Sequence, residues 1–324
     1  MFSVEKSSSK EIIMKKNKKD LLSIYDLTAE EIWTLIQNAV KLKKSKKATG
    51  KIKGKTLGLI FEKPSTRTMV SFATGMAQEG GTPLILDSQK LQIKRGEPVY
   101  DTAKVMSRYL DGVVIRAFHH EYVQEFANAA SIPVINGLTD FEHPCQILAD
   151  MMTIVEKYKI KSVKDLSKLK IVFVGDANNV ANSWIAVSAV LGLNFLLLGS
   201  KKYAPRKDLL DKALSISERT KAKISVSENI EDIKNADVIY TDVWTSMGEE
   251  NEYKERHETF MPYQVNDKLL EKANKNCIVL HCLPAVRGEE ITESVMSKQE
   301  KNIFDQAENR LHIQKAVVVY LLQK

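Results

Sequence analysis

The sequence predicts an α/β protein. It reads as two doubly wound parallel-sheet domains joined by long helices, with the C-terminal helix packing back on the first domain. Three observations predict it. Short apolar runs alternate with amphipathic stretches, the pattern of a parallel sheet covered on both faces. The length of 324 residues exceeds what one core usually serves. The alternation breaks in the charged stretch 156–170 and then starts again.

Taken in order, the folded chain is expected to begin near Asp20. Thr28-Ala-Glu-Glu31 reads as a capping box, and Ile32, Leu35, Ile36, Ala39 and Val40 then share one helical face. Thr56 to Phe61 is a short apolar strand, and the helix after it ends at Gly80-Gly81. Strands are predicted over Pro83–Leu86, Gly112–Ile115 and Pro133–Asn136, with helices over 101–110 and Glu121–Ala130 between them. A long helix runs from Pro144 to Tyr158, with Pro at the favoured first position. The second unit reads as strand Lys170–Gly175, helix Val180–Leu191 and strand Asn194–Gly199, followed by strands Val238–Asp242 and Cys277–His281. Phe304–Gln323 is an apolar helix without a strand partner, expected to return to the first domain. The expected division is a basic extension over 1–18, one domain over 19–150 plus 304–324, and a second over 151–303.

Composition narrows the function. Hydrophobic residues make up 44% and charged residues 27%, which excludes a disordered or fibrous chain. No apolar run approaches the roughly 18–20 residues that span a bilayer. Three cysteines (Cys145, Cys277, Cys282) are too few for a disulfide framework, so a reducing, cytoplasmic location is expected. Of the 48 basic and 41 acidic residues, 14 Lys and 6 acids fall within residues 1–55, leaving 34 basic and 35 acidic for the rest. The high pI therefore describes a Lys-rich amino-terminal segment, read as a solvated leader and helix face rather than a nucleic-acid or membrane surface. Residues 1–18 hold Glu5, Glu11 and no Arg, unlike a mitochondrial transit peptide, and no apolar h-region for secretion.

Five short motifs carry chemistry. Ser65-Thr66-Arg67-Thr68 joins a strand to a helix, where orphan N–H groups, hydroxyls and a guanidinium make an anion cradle; an N-cap with a surface Arg would look the same. His143-Pro-Cys-Gln146 puts His143 and Gln146 on one face, able to donate to one carbonyl oxygen; a buried His at a helix start is the alternative. Gly175-Asp-Ala-Asn-Asn179 is not GxGxxG, which disfavours a dinucleotide; its two Asn suit a carboxylate or amide, or a plain helix cap. Asp242-Val-Trp-Thr-Ser-Met-Gly248 offers a carboxylate for a cationic amine, or a turn after a strand. His281-Cys-Leu-Pro284 offers a thiol, as a polar partner or as an inert buried Cys. All five fall at a strand's carboxyl end or a helix's amino end, where open α/β sheets bind ligands. An anion pocket on one domain would then face an amine-plus-carboxylate pocket on the other across a cleft.

Four segments, Phe61-Glu-Lys-Pro-Ser-Thr-Arg-Thr68, His143-Pro-Cys-Gln146, Asp242-Val-Trp-Thr-Ser-Met-Gly248 and His281-Cys-Leu-Pro-Ala285, resemble the transcarbamylase family in the same order. Ser-Met-Gly with His-Cys-Leu-Pro is similar to its ornithine branch; the aspartate branch has His-Pro-Leu-Pro. The resemblance implies carbamoyl transfer from carbamoyl phosphate to the side-chain amine of L-ornithine, without metal or organic cofactor. It implies that Ser65, Thr66, Arg67 and Thr68 bind the phosphate, with Arg116 reaching phosphate and carbonyl oxygen. His143 and Gln146 would hold the carbamoyl group, and Arg310 would close over the site from the last helix. Leu138, Asn179, Asp242, Ser246 and Met247 would contact ornithine. Cys282 and Leu283 would sit beside the reacting amine, with Leu283-Pro284 cis. Gln92 resembles a residue lent to a neighbouring subunit, which implies a homotrimer or a higher assembly; no nucleic-acid or membrane partner is implied. The chain departs from the pattern at Met69, where a second Arg is usual. Position 69 lies about 200° around the helix from Arg67, so it need not face the same phosphate.

Overall fold

The computed structural model describes residues 19–45, 47–245 and 250–323. The extension over 1–18, and Ser246 and Met247, lie outside the described residues. Among the described residues, nine strands form two sheets in which every pairing is parallel. The first holds β1 (Thr56–Phe61), β2 (Thr82–Asp87), β3 (Gly112–Arg116) and β4 (Val134–Leu138) in the order β2-β1-β3-β4. The second holds β5 (Lys170–Val174), β6 (Asn194–Leu198), β7 (Lys223–Ser227), β8 (Val238–Thr241) and β9 (Ile278–His281) in the order β7-β6-β5-β8-β9. The central strands are unbroken apolar runs because helices cover both faces; β3 and β8 are buried along their whole length.

Strand order reverses once in each sheet, between β1 and β3 and between β5 and β8. Connections leave such a switch point on opposite faces and open a crevice beyond the strands' carboxyl ends. The chain therefore builds two crevices, one at each sheet.

Helices α1 (Ala29–Lys44), α2 (Thr66–Gln78), α3 (Val99–Tyr109) and α4 (His120–Ala129) accompany the first sheet. The capping box expected at Thr28 is complete: Thr28 Oγ1 accepts the Glu31 N–H at 3.2 Å and Glu31 accepts the Thr28 N–H at 2.9 Å. On α1 the buried stripe is Ile32, Leu35, Ile36, Ala39 and Leu42. Val40, expected in it, is only half-buried, because Leu35, Ala39 and Leu42 keep the helical repeat and Val40 falls to its side.

Two long helices join the halves: α5 (Pro144–Lys157), and the last helix. The second half also holds α6 (Val163–Leu166), α7 (Asn179–Leu191), α8 (Lys207–Thr220), α9 (Tyr253–Phe260) and α10 (Asp267–Leu270). The sequence pattern leaves residues 200–237 without expected elements, whereas α8 and β7 lie there. Their signal is weak because α8 buries only Leu209, Ala213 and Ser217, and β7 is a mostly exposed edge strand.

The last helix, α11 (Glu293–Leu322), is a correction: it begins eleven residues before Phe304 and runs unbroken through it. Its stretch before Phe304 is largely polar and buries only Val295, Met296 and Ile303, while Phe304 itself is 49% exposed. It packs beside β9 and then against α5, α1 and α2, returning to the first half as expected. At the α2 crossing, a Cβ on Gly75 would lie 2.8 Å from Lys315 Cγ, so only glycine lets the helices approach this closely. Side chains of α1, α5, α7 and α11 and of both sheets share one apolar cluster, so the halves are bound through a common core.

Candidate active site

A cleft of about 620 Å³ lies between the carboxyl ends of the two sheets and is lined from both. Phe61 ends β1 and the chain turns into α2, where Ser65 Oγ caps the helix by accepting the Thr68 N–H at 3.3 Å. The amino end of α2, with its orphan N–H groups, thus lies in the cleft wall with Ser65, Thr66, Arg67 and Thr68. Arg116, the last residue of β3, joins it from the other side of the switch point. Arg310 arrives from α11, only 3% exposed. Its Nη2 donates to Thr68 Oγ1 at 2.9 Å and its Nη1 to Gln146 Oε1 at 2.6 Å.

Three guanidiniums converge here with no carboxylate bound to them among the described residues. Burial first, then the charges of Arg310 and Arg67, pull Arg116 down to about 10. The Nε atoms of Arg116 and Arg310 are buried with no hydrogen-bond partner among the described residues. Such a cluster is complementary to a compact polyanion, which would satisfy the donors and relieve the repulsion. His143, at the start of α5, is 4% exposed and held well below its usual range, by burial and then by Arg310, Arg116 and Arg67. It is a neutral imidazole, a hydrogen-bonding group that adds no charge.

Gln146 lines the cleft, but its amide is partly committed. Nε2 donates to Asp150 Oδ1 at 2.8 Å, while Oε1 takes the Arg310 bond. The expected pair of donors to one carbonyl oxygen is therefore His143 with the remaining N–H of Gln146. Lys63, which lies inside the 61–68 motif but was given no role there, also lines this wall, with its ammonium 4.3 Å from the Phe118 ring centroid.

The facing wall comes from the second switch point. Asp242, directly after β8, accepts from the Cys282 thiol at 3.0 Å, from the Val243 N–H at 2.9 Å and from Asn178 Nδ2 at 2.8 Å. Burial, followed by the nearby Asp242 charge, raises Cys282 well above its usual range, so it is a thiol that donates and not a thiolate that attacks. Leu138, Asn179 and Leu283 also line the cleft. Asn178, beside the expected Asn179, is the residue that touches Asp242. Leu283 has φ 59°, its bond to Pro284 is cis as expected, and its carbonyl accepts from Arg67 Nη2 across the gap. Gln92 lies apart from its own chain's cleft, exposed on a short turn after β2. Asp242, His281 and Cys282 bring ligand atoms within 4.8 Å of one another, yet both His281 ring nitrogens are engaged. Nδ1 accepts the Leu283 N–H at 2.9 Å and Nε2 lies 2.9 Å from Glu290 Oε1.

The model of the carbamoyl-phosphate-binding domain of aspartate/ornithine carbamoyltransferases matches residues 19–156, and that of their Asp/Orn-binding domain matches 167–321. The chain belongs to the aspartate/ornithine carbamoyltransferase family. It is 49% identical to the ornithine carbamoyltransferase of Syntrophus aciditrophicus over 94% of this chain and 100% of that one. The ornithine carbamoyltransferase structure from Pyrococcus furiosus superposes with a TM-score of 0.88 at 44% identity, covering 96% of this chain and 99% of that one. The anabolic enzyme of Campylobacter jejuni gives 0.88 at 40%, covering 94% and 98%. The two family models meet near α5, and residues from both line this cleft.

Two buried carboxyls flank the site and bear on stability. Burial, reinforced by Asp26, raises Glu142 to about 7 against its bonds from Ser23 and the Ile24 N–H; burial also raises Asp150 to about 7. Between the ordinary carboxylate range and pH about 7 the folded chain binds more protons than the unfolded one. The stability from these groups is thus full below the ordinary range and lost as pH rises through about 7. Urea midpoints are expected to fall from about pH 6 to about pH 8, and to fall less in Glu142→Gln. Identical slopes for both proteins would refute this.

Proposed function

We propose that the protein transfers the carbamoyl group of carbamoyl phosphate to the side-chain amine of L-ornithine, giving L-citrulline and phosphate. The observation that carries this reading is a single cleft in which Arg67, Arg116 and Arg310 face the Asp242–Cys282 pair. The guanidiniums and the amino end of α2 hold the phosphate dianion. The neutral amine attacks the carbamoyl carbon, and the oxyanion that forms takes hydrogen bonds from Arg116, His143 and Gln146. Phosphate then departs into the charge already waiting for it. With a lysine-like reference pKa of ~10.4, deprotonating the amine at pH 7 costs roughly 4–5 kcal/mol. Asp242, with Cys282, positions the amine and relays its proton. The donor binds first, and ornithine follows with domain closure.

On this reading residues 19–150 and 304–324 form the donor half and 151–303 the acceptor half. The return of α11 to α1 and α2 supports that division. Ser246 and Met247 complete the ornithine contacts. The assembly is a homotrimer, in which Gln92 serves a neighbour's cleft. Leu84 and Ile85 on edge strand β2, 42% and 59% exposed, and Val70 on α2, 55% exposed, offer the apolar surface for it. Sedimentation at about three times the 36.6 kDa chain mass is expected, and a monomer at assay concentration would refute it. Free Cys145, Cys277 and Cys282 support a cytoplasmic setting, and no described helix is long and apolar enough to cross a membrane. The reaction places the enzyme in arginine metabolism.

Citrulline formation from ornithine and carbamoyl phosphate, measured colorimetrically, tests the reading, and a panel of amine acceptors including putrescine tests the acceptor. Met69 is half-buried and absent from the cleft wall. Met69→Arg is therefore expected to change the KM for carbamoyl phosphate less than about tenfold. A larger improvement would show that the native donor site lacks a needed charge.

A further inference from the structure

The loop 139–143 ends on His143 and lies between the two halves. Within its own half it is closed by Thr139, whose N–H donates to the Glu142 carbonyl at 3.0 Å, and by Glu142, whose carboxylate takes Ser23 Oγ and the Ile24 N–H. The opposite half grips the same loop with one helix. On α7, Asn179, Asn182 and Ser183 stand at i, i+3 and i+4, so they share a face. They meet successive points of the loop. Asn179 Nδ2 donates to the Thr139 carbonyl at 2.7 Å and Asn182 Nδ2 to the Phe141 carbonyl at 3.0 Å. The His143 N–H donates to Ser183 Oγ at 2.8 Å. Ser183 is fully buried, and its hydroxyl is oriented because it donates to the Asn179 carbonyl at 3.0 Å. His143 opens α5 with no side-chain cap of its own.

The same end of α7 touches the acceptor carboxylate. Asn178 caps the helix through Oδ1, which accepts from the Val180 and Ala181 N–H groups, while its Nδ2 donates to Asp242 Oδ2 at 2.8 Å. One rigid helix end therefore holds Asp242 on one side and the backbone of His143 on the other.

We propose that the polar face of α7 sets the spacing of His143 against Asp242, and that Asn182 and Ser183 are positioning residues for carbamoyl transfer. This deepens the function proposed above and rests on it. Neither side chain needs to touch substrate. They act by keeping the donor's oxyanion partner in register with the group that presents the amine, and misplacement of about 1 Å is enough to cost about a hundredfold in rate.

The proposal separates ligands that use one half from ligands that span both. Carbamoyl phosphate alone needs only the donor wall, whose loop is also held within its own half by Glu142 and Thr139. A bisubstrate mimic, a phosphonacetyl group joined to ornithine, needs both walls at the right separation. Titration calorimetry with each ligand, kcat and melting temperature are compared for wild type, Ser183→Ala and Asn182→Ala. In the variants we expect carbamoyl phosphate affinity within about threefold of wild type, mimic affinity at least about tenfold weaker and kcat at least about tenfold lower. Equal losses for both ligands, or no loss for either, would overturn the proposal; a lowered melting temperature with unchanged mimic affinity would do the same. Should Ser183→Ala fail to fold, Asn182→Ala, at a position 8% exposed, carries the comparison. A wild-type protein that neither binds the mimic nor makes citrulline would instead defeat the function reading itself.

Discussion

Arg67→Ala is expected to lower citrulline formation at least about a hundredfold. Arg67 is the exposed member of the guanidinium cluster, standing in the first turn of α2, and its Nη2 reaches the Leu283 carbonyl on the far wall. The side chain thus does two things. On the proposed function it supplies charge where phosphate would be held and released, and it reaches across the cleft to the facing wall. Charge-assisted contacts that strengthen in the transition state are worth ~2.7 kcal/mol or more, which is the hundredfold expected here. The loss should fall on kcat and on the KM for carbamoyl phosphate together, because the phosphate is gripped before and during its departure. Arg67→Lys should recover little, since an ammonium cannot grip phosphate through two parallel bonds. The fold should be untouched, because α2 keeps its Ser65 cap and its buried Phe72 and Met76. Activity within about tenfold of wild type would mean that Arg116 and Arg310 suffice, and the role assigned to Arg67 would be wrong.

Strands and caps were the most legible parts of the chain because their signals are local. Thr56–Phe61 is an apolar run between polar ends, and it is β1 to the residue. Thr28 and Glu31 are three apart, and their reciprocal bonds depend on nothing else. Elements without a continuous apolar signal were not legible. The polar beginning of α11 is helical because Val295, Met296 and Ile303 pack in an apolar cluster with Val265, Leu269 and Val279, and Thr292 caps the first turn, facts that only tertiary contact supplies.

The site divided in the same way. Arg67, His143, Asp242 and Cys282 could be named from short motifs and the family they resemble, and all four line one cleft. What each side chain is bonded to could not be read. Gln146 looked free to bind a carbonyl, yet Arg310 and Asp150 occupy it from 164 and 4 residues away. Gln306 shares Asp150 Oδ1 at 2.7 Å, so α5 and α11 together fix the amide. Ser183 carried no motif signal at all, since a Ser inside an apolar helix is ordinarily a small filler or bonds back to its own backbone. Its second partner, His143, lies 40 residues earlier on another element.

Asp242→Asn is expected to lower kcat/KM for ornithine by about three orders of magnitude, a loss within the range of a positioned proton-transfer group. The substitution keeps the volume of the side chain, so packing does not change. Its chemistry does. Both carboxylate oxygens accept in the native site: Oδ1 from the Cys282 thiol and the Val243 N–H, Oδ2 from Asn178. An amide has one oxygen, so whichever way it turns, its NH₂ faces a donor. Asn178 is also the N-cap of α7, and disturbing it loosens the helix that holds the donor loop. The carboxylate that positions the amine and takes part in its proton relay on the proposed function is removed as well. Donor binding alone should stay within about threefold of wild type, because Arg67, Arg116 and Arg310 stand on the other wall. The pH dependence gives an independent check. In wild type, kcat/KM for ornithine should rise about tenfold per pH unit while the amine is still mostly protonated, and the variant should run parallel and lower. Equal losses of carbamoyl phosphate affinity and ornithine turnover would show that the substitution had collapsed the cleft. A loss smaller than about tenfold would show that another group handles the amine's proton, and Cys282 would be the next residue to test.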